Sequence, residues 1–252
     1  MKALFLTSSI NTNVEDEFGN KTPIKFENKN HILDNFKKYI NKYDNFLYIS
    51  SDPNDYAVTD LYSSIVFKSF NLTLPFKSYK VLDNRSIKDA RKLVLNADFI
   101  YLAGGHVPTQ NKFFNDINLK DLLKENKDVV ICGVSAGSMN ASSTVYSPPE
   151  EDGEAINKDY ERYLKGLGLI NISINPHYND DEVVILDNLD VKKDILLPDS
   201  KKRLFFAYPD GTYILKANNK VMLYGLSYLF KDGKCYKFND DGNIKDITQY
   251  DL

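Results

Sequence analysis

Five short β-rich runs alternating with longer amphipathic stretches limit what this chain can fold into more than any other feature of it. The runs fall at residues 2–8, 46–50, 78–82, 99–103 and 129–132, with helical periodicity near residues 32–43, 55–70, 87–96 and 111–125 between them. Repeated βα units of this kind build a parallel sheet covered by helices on both faces. The second half is less regular. Strands are expected at 172–175, 204–207 and 212–216, followed by a closing antiparallel pair, 220–224 and 229–238, that turns at Asp232 and Gly233. No internal repeat or interdomain linker interrupts the pattern, so the chain reads as one domain with a C-terminal β-hairpin around residues 220–238. The stretch 147–159, rich in proline, glycine and acids, reads as a loop over one face.

Composition narrows the class. With 252 residues, 42% of them hydrophobic, the chain can bury a sizeable core. A net charge of −3 with interspersed lysines and acids provides no basic face for nucleic acid and no polybasic run for anionic lipid. No apolar stretch approaches the roughly 20 residues of a membrane span. Two cysteines, Cys132 in a presumed buried strand and Cys235 in a late polar segment, make neither a disulfide framework nor a metal cluster. The expectation is a soluble, cytoplasmic protein. A homodimer through an edge strand or the loop 147–159 is compatible with this pattern.

In an open sheet of this kind, sites lie beyond the carboxyl ends of the strands, and four strand ends here carry chemistry-bearing residues. The run 129–132 leads into Gly133, Val134, Ser135, Ala136 and Gly137, a serine flanked by glycine two positions before and after. That is the nucleophile-elbow pattern: a tight strand-to-helix turn exposes the hydroxyl beside a helix N-terminus, and small neighbours avoid clashes. A glycine-rich connection without chemistry fits the same five residues taken alone.

A serine hydroxyl is a poor nucleophile at neutral pH and needs a base within hydrogen-bond reach, itself oriented by a third group. Of the three histidines, His177 is the best-placed base, because Pro176 stiffens the chain just after a strand. His31 sits in a polar segment and reads as solvated. His106 follows the glycine pair Gly104 and Gly105 and reads as lining the pocket in a structural or substrate-binding role, together with Gly104. Asp210, in the turn Pro209, Asp210, Gly211, is one candidate for the orienting acid; on spacing alone it reads more readily as an aspartate satisfying its own turn. Glu150, Glu151, Asp152 and Glu154 compete with it. The N–H groups of Gly105 and Ala136 are the expected oxyanion-hole donors.

Together these segments resemble peptidase family S51, the dipeptidase E (alpha-aspartyl dipeptidase) and cyanophycinase relatives. The match lies in the order and approximate spacing of Gly104–Gly105, Gly-Val-Ser-Ala-Gly at 133–137, Asn-Pro-His at 175–177 and Pro-Asp-Gly at 209–211, over roughly residues 1–215. The resemblance implies a flavodoxin-like, three-layer α/β/α fold with a mostly parallel central sheet, akin to class I glutamine amidotransferases but with serine at the elbow. It also implies hydrolysis of short peptides, often with an acidic N-terminal residue, without metal or other cofactor. Ser135 then matches the nucleophile and His177 the general base. For the third member the family offers either Asp210 or an acid near 150–152, and Asp210 is favoured because a strand end holds a carboxylate rigidly.

Two features depart from the family pattern. His106 stands where Gly-Gly-Asn is usual, and residues 179–203 contain a single arginine, Arg203, where dipeptidase E carries an arginine-containing stretch. Lysines there are point charges rather than bidentate carboxylate clamps. The leading expectation is therefore a serine peptidase acting through an acyl-enzyme on a small peptide. The alternatives are an esterase or amidase on another acyl group, or a silent binding homologue.

Overall fold

The computed structural model describes residues 1–251. After β1 (Ala3–Thr7) come a hairpin, β2 (Asn13–Glu15) and β3 (Lys21–Pro23), then α1 (Ile32–Tyr39), β4 (Asn45–Ile49), α2 (Tyr56–Asn71) and β5 (Ser78–Leu82). The βα half continues with α3 (Ala90–Asn96), β6 (Phe99–Leu102), α4 (Val107–Asp116), α5 (Leu119–Glu125), β7 (Val130–Val134) and α6 (Ala136–Asn140). Shorter strands follow: β8 (Thr144–Tyr146), β9 (Tyr163–Lys165), β10 (Ile174–Asn175), and the small hairpin β11 (Ile185–Leu186) and β12 (Leu189–Asp190). A π-helical turn, Val191–Leu196, runs into α7 (Leu197–Asp199) before β13 (Phe205–Ala207), β14 (Tyr213–Ala217) and β15 (Lys220–Tyr224). The chain closes with β16 (Ser227–Lys231), β17 (Lys234–Asn239) and β18 (Ile244–Asp246).

An eight-stranded sheet in the order β18-β15-β14-β1-β7-β6-β4-β5 forms the centre. Strands β1, β7, β6, β4 and β5 pair in parallel, and β14, β15 and β18 extend the β1 edge antiparallel. Side-chain alternation sorts the two faces cleanly. Phe5, Phe46, Tyr48, Phe99, Tyr101 and Tyr213 point to one face, where Phe36 of α1 and Phe70 of α2 meet them in one buried cluster. Their rings pack at 4.5 Å for Phe5–Phe36, 5.1 Å for Phe46–Phe99 and 5.7 Å for Phe36–Phe70. Each such contact is worth roughly 0.5–1.5 kcal/mol beyond the area buried. Leu4, Leu6, Leu47, Ile49, Ile100 and Ile131 point the other way, against Val94, Phe113, Leu123 and Met139 from α3 to α6. The result is the three-layer α/β/α arrangement of a flavodoxin-like fold.

A second, four-stranded sheet, β10-β13-β16-β17, stands beside it and carries the segment before His177. Its strands account for the main departure from the sequence pattern. The run 229–238 is not one strand paired with 220–224: it is itself the greater part of the β16–β17 hairpin, turning at Asp232 and Gly233, while β15 pairs with β14 in the central sheet. The two positive-φ residues of the turn, 54° at Asp232 and 78° at Gly233, match the right-handed twist a two-residue hairpin requires. The periodic stretch 111–125 is likewise broken, because Asn118 adopts a left-handed conformation (φ 51°) that ends one helix and starts the next. Among the described residues no helix is long and apolar enough to cross a membrane.

Candidate functional site

Ser135 stands between β7 and α6 with φ 49° and ψ −117°, a sparsely populated conformation for a residue with a side chain. Such strain costs on the order of 1–3 kcal/mol and persists only where the surroundings over-determine it. Here the Ser135 N–H donates to the carbonyls of Thr7 (3.1 Å) and Ser8 (3.0 Å) at the end of β1, and its own carbonyl accepts from Ser138 and Met139. The Ser138 hydroxyl adds a further bond to Thr7 O at 2.8 Å. Gly137 completes the elbow for a steric reason, since a Cβ there would overlap the carbonyl oxygen of Leu102 on β6. Cys132, on β7 three residues before the serine, is fully buried in the aromatic face, and burial pushes its thiol far up.

His177 follows β10, whose parallel pairing with β13 brings Ile174–Asn175 beside Phe206–Ala207 and so places His177 and Asp210 at neighbouring strand ends. The imidazole Nδ1–H donates to Asp210 Oδ1 at 2.7 Å. Sequence reasoning missed the third partner, Ser8. Its buried hydroxyl donates to the same Asp210 oxygen at 2.7 Å and accepts the His177 backbone N–H at 2.7 Å. That N–H bond steadies His177 in its left-handed backbone conformation, φ 58°. Lys29 Nζ and Asn30 Nδ2 donate to the carbonyls of Asp210 and Gly211, at 3.2 and 2.8 Å, holding the turn from outside.

The electrostatics follow from these contacts. The Asp210 hydrogen bond raises the His177 pKa; partial burial opposes it, and the charges of Asp210 and Glu150 add to it. Reciprocally, the His177 bond holds the Asp210 carboxyl below its usual range, against a desolvation cost, with Ser8 contributing in the same direction. Of the acids competing to orient the imidazole, Asp210 is the one hydrogen-bonded to it. Glu150 acts on His177 only through its charge, and the protein packed around Glu150 pushes its own carboxyl up even though the side chain reaches solvent.

Ser135 and His177 line one cavity of about 450 Å³ together with Glu150, Tyr178 and Lys192. Among the described residues no hydrogen bond joins the Ser135 hydroxyl to His177, as is common before a substrate tightens a catalytic site. Gly104 lies against the serine: a Cβ there would be 3.2 Å from Ser135 Cβ. The N–H groups of Gly105 and Ala136 have no hydrogen-bond partner among the described residues; Ala136 is buried, and neither residue is among those that line the cavity. Gly105 has φ 151°, and a Cβ on it would lie 2.6 Å from Ser51 Cβ. A second cavity of about 480 Å³ lies on the far side of Asp210, lined by Thr12, Glu27 and Lys29, and contains neither Ser135 nor His177.

His106 occupies a different place from the one its sequence position implied. It is absent from the lining of the cavity; its Nδ1 accepts from the Thr109 hydroxyl at 2.8 Å and its Nε2–H donates to Glu154 Oε1 at 2.9 Å. Glu154 Oε2 accepts the N–H groups of Glu150 (2.8 Å) and Glu151 (3.0 Å), so His106 pins the loop 147–159 across the site. Burial alone would raise the Glu154 carboxyl, but these donors outweigh it and hold it low. His106, Glu151 and Glu154 also bring ligand-type atoms within 4.8 Å of one another, with the imidazole and Glu154 already engaged as described.

Comparison with solved structures gives the same architecture in a peptidase from an acI-B1 actinobacterium, at a TM-score of 0.67 and 17% identity over 98% of this chain and 97% of the other. A protein of Listeria monocytogenes EGD-e described as a peptidase E matches at a TM-score of 0.58 and 17% identity over 95% of this chain and all of the other. A comparison with curated proteins finds no match. The model of peptidase family S51 matches residues 19–221, a span that contains Ser135, His177 and Asp210, and the chain therefore belongs to this family of serine-type peptidases.

Proposed function

We propose that the protein hydrolyses short peptides through an acyl-enzyme, with Ser135 as nucleophile, His177 as general base and acid, and Asp210 as the group that orients the imidazole. Asp210 accepts a hydrogen bond from Nδ1–H and so keeps that proton on Nδ1, which leaves the Nε2 lone pair to receive the serine proton. Ser135 Oγ then bonds to the scissile carbonyl carbon as its proton passes to Nε2, and the carbonyl oxygen gains negative charge. The N–H groups of Gly105 and Ala136 stabilise that charge; one such donor is typically worth a few kcal/mol. The C–N bond breaks as imidazolium returns the proton to the leaving amine. Water, deprotonated by His177, then attacks the ester, and the serine leaves with the proton.

The observation that carries this reading is that the strained serine and the Asp210-bound imidazole, 42 residues apart in sequence by their numbering, open onto one cavity. Digestion of a dipeptide and tripeptide library by wild type and by Ser135→Ala, read by mass spectrometry, tests it. Cleavage by wild type alone is expected; cleavage of small esters with none of peptides would move the assignment to an esterase.

A further inference from the structure

Besides Ser135 and His177, the reactive cavity has an apolar wall. Tyr178, Val184, Ile185, Leu186, Val191 and Leu196 form most of it. Ile185 is 60% exposed and Val184 49%, so this apolar surface is in water until something covers it. The wall is also held in place. Asp187, between β11 and β12, accepts the N–H groups of Gly153 (2.8 Å) and Ala155 (2.9 Å), and Asp190 caps the following π-helical turn by accepting from Lys193 N at 2.9 Å.

The charges around this wall have one sign to offer. Lys192 is the only lysine or arginine among the described lining residues, and its Nζ is 2.6 Å from Asp180 Oδ1, so its charge is already paired. Glu150 and Glu182 line the same cavity. A carboxylate side chain entering here would lose its water against an apolar wall, gain no free cation and face two like charges. A leucine-like side chain would gain by the same burial, and a free ammonium would find a carboxylate in Glu150, which is close enough to influence His177.

We infer that this cavity selects short peptides whose N-terminal residue is a large apolar one, such as leucine, methionine or phenylalanine, with Glu150 facing the free ammonium, and that it rejects N-terminal aspartate. The inference rests on the proposed peptidase site but is tested separately from turnover. Ser135→Ala protein, titrated with Leu-Gly-Gly, Asp-Gly-Gly and N-acetyl-Leu-Gly-Gly and followed by NMR, reads binding alone.

Leu-Gly-Gly is expected to bind at least tenfold tighter than Asp-Gly-Gly, and acetylation is expected to weaken the leucyl peptide at least fivefold. Adding Ile185→Arg, at a position exposed enough to accept a charge without disturbing the core, should shrink the Leu/Asp ratio several-fold. Equal or tighter binding of the aspartyl peptide, or no binding of any of the three, overturns the inference. Wild-type hydrolysis without this preference would overturn the selectivity and leave the peptidase reading standing. Selective binding without wild-type hydrolysis would do the reverse.

Discussion

Ser8 is bonded to Asp210 across 202 positions of sequence, its hydroxyl 2.7 Å from the carboxylate oxygen that holds His177. Because the same hydroxyl accepts the His177 backbone N–H, one buried oxygen fixes both the imidazole's support and the imidazole's own main chain. Ser8→Ala removes both bonds at once and leaves His177 free to relax from its left-handed conformation. On the proposed mechanism kcat should fall by about 10-fold or more, since the lost backbone bond is worth roughly 0.5–1.5 kcal/mol and the lost bond to the charged carboxylate roughly 1.5–3 kcal/mol, with KM nearly unchanged. A rise in KM at constant kcat would assign Ser8 to substrate binding instead of positioning.

Replacing Asp210 with asparagine should be far more damaging. The amide favours the wrong imidazole tautomer, and kcat should drop on the order of 10³-fold or more. On the proposed mechanism His177 must be neutral to act as base, so kcat/KM should rise with pH through its raised pKa; in Asp210→Asn the residual activity should have its acid limb at lower pH.

The same pair affects folding, with opposite signs at the two ends. The raised imidazole contributes stability fully below its ordinary value of 6.5 and loses it as pH climbs through its folded value. The depressed carboxyl contributes above its ordinary 3.8 and loses it as pH falls through its folded value. The Tm difference between wild type and Asp210→Asn should therefore be largest between these two ordinary values, and modest throughout because both side chains are about half exposed.

The site was half legible in the sequence, and the division has a physical basis. Ser135 announces itself because an elbow imposes glycine at fixed local spacing, and His177 and Asp210 because strand-end turns call for proline and glycine nearby. The parallel half of the central sheet was readable because its strands, the edge strand β5 excepted, are buried on both faces, as the alternation of Phe5, Phe46 and Phe99 with Leu4, Leu47 and Ile100 shows. Ser8 carries no local signal. Its role exists only once β1, β10 and β13 have met, and a serine after a strand looks like any other. The second sheet was hidden for a related reason: β10 and β13 are two and three residues long, and their pairing is decided by distant packing of Phe205 and Phe206 rather than by their own pattern.

His106 and Glu154 give a prediction about the loop rather than the chemistry. His106→Ala removes the donor that orients Glu154, whose other oxygen holds the Glu150 and Glu151 amides. Those two amides should lose hydrogen-exchange protection, and KM for the proposed peptide substrates should rise several-fold with a smaller change in kcat. A variant with full amide protection would show that the loop is ordered without the bond between His106 and Glu154.

Gly137 tests whether the elbow is a feature of folding or only of catalysis. A methyl group there meets the backbone oxygen of Leu102, which belongs to the central strand β6 and has no rotamer through which to yield. Overpacking in a core typically costs about 1–3 kcal/mol, and an obstruction made of main chain falls at the upper end or beyond. Gly137→Ala should therefore lower Tm by several degrees even in the Ser135→Ala background, where no chemistry remains to be lost. If Tm were unchanged while activity vanished in the otherwise wild-type chain, α6 and β6 would have to separate without cost, and the elbow would be a feature of catalysis alone.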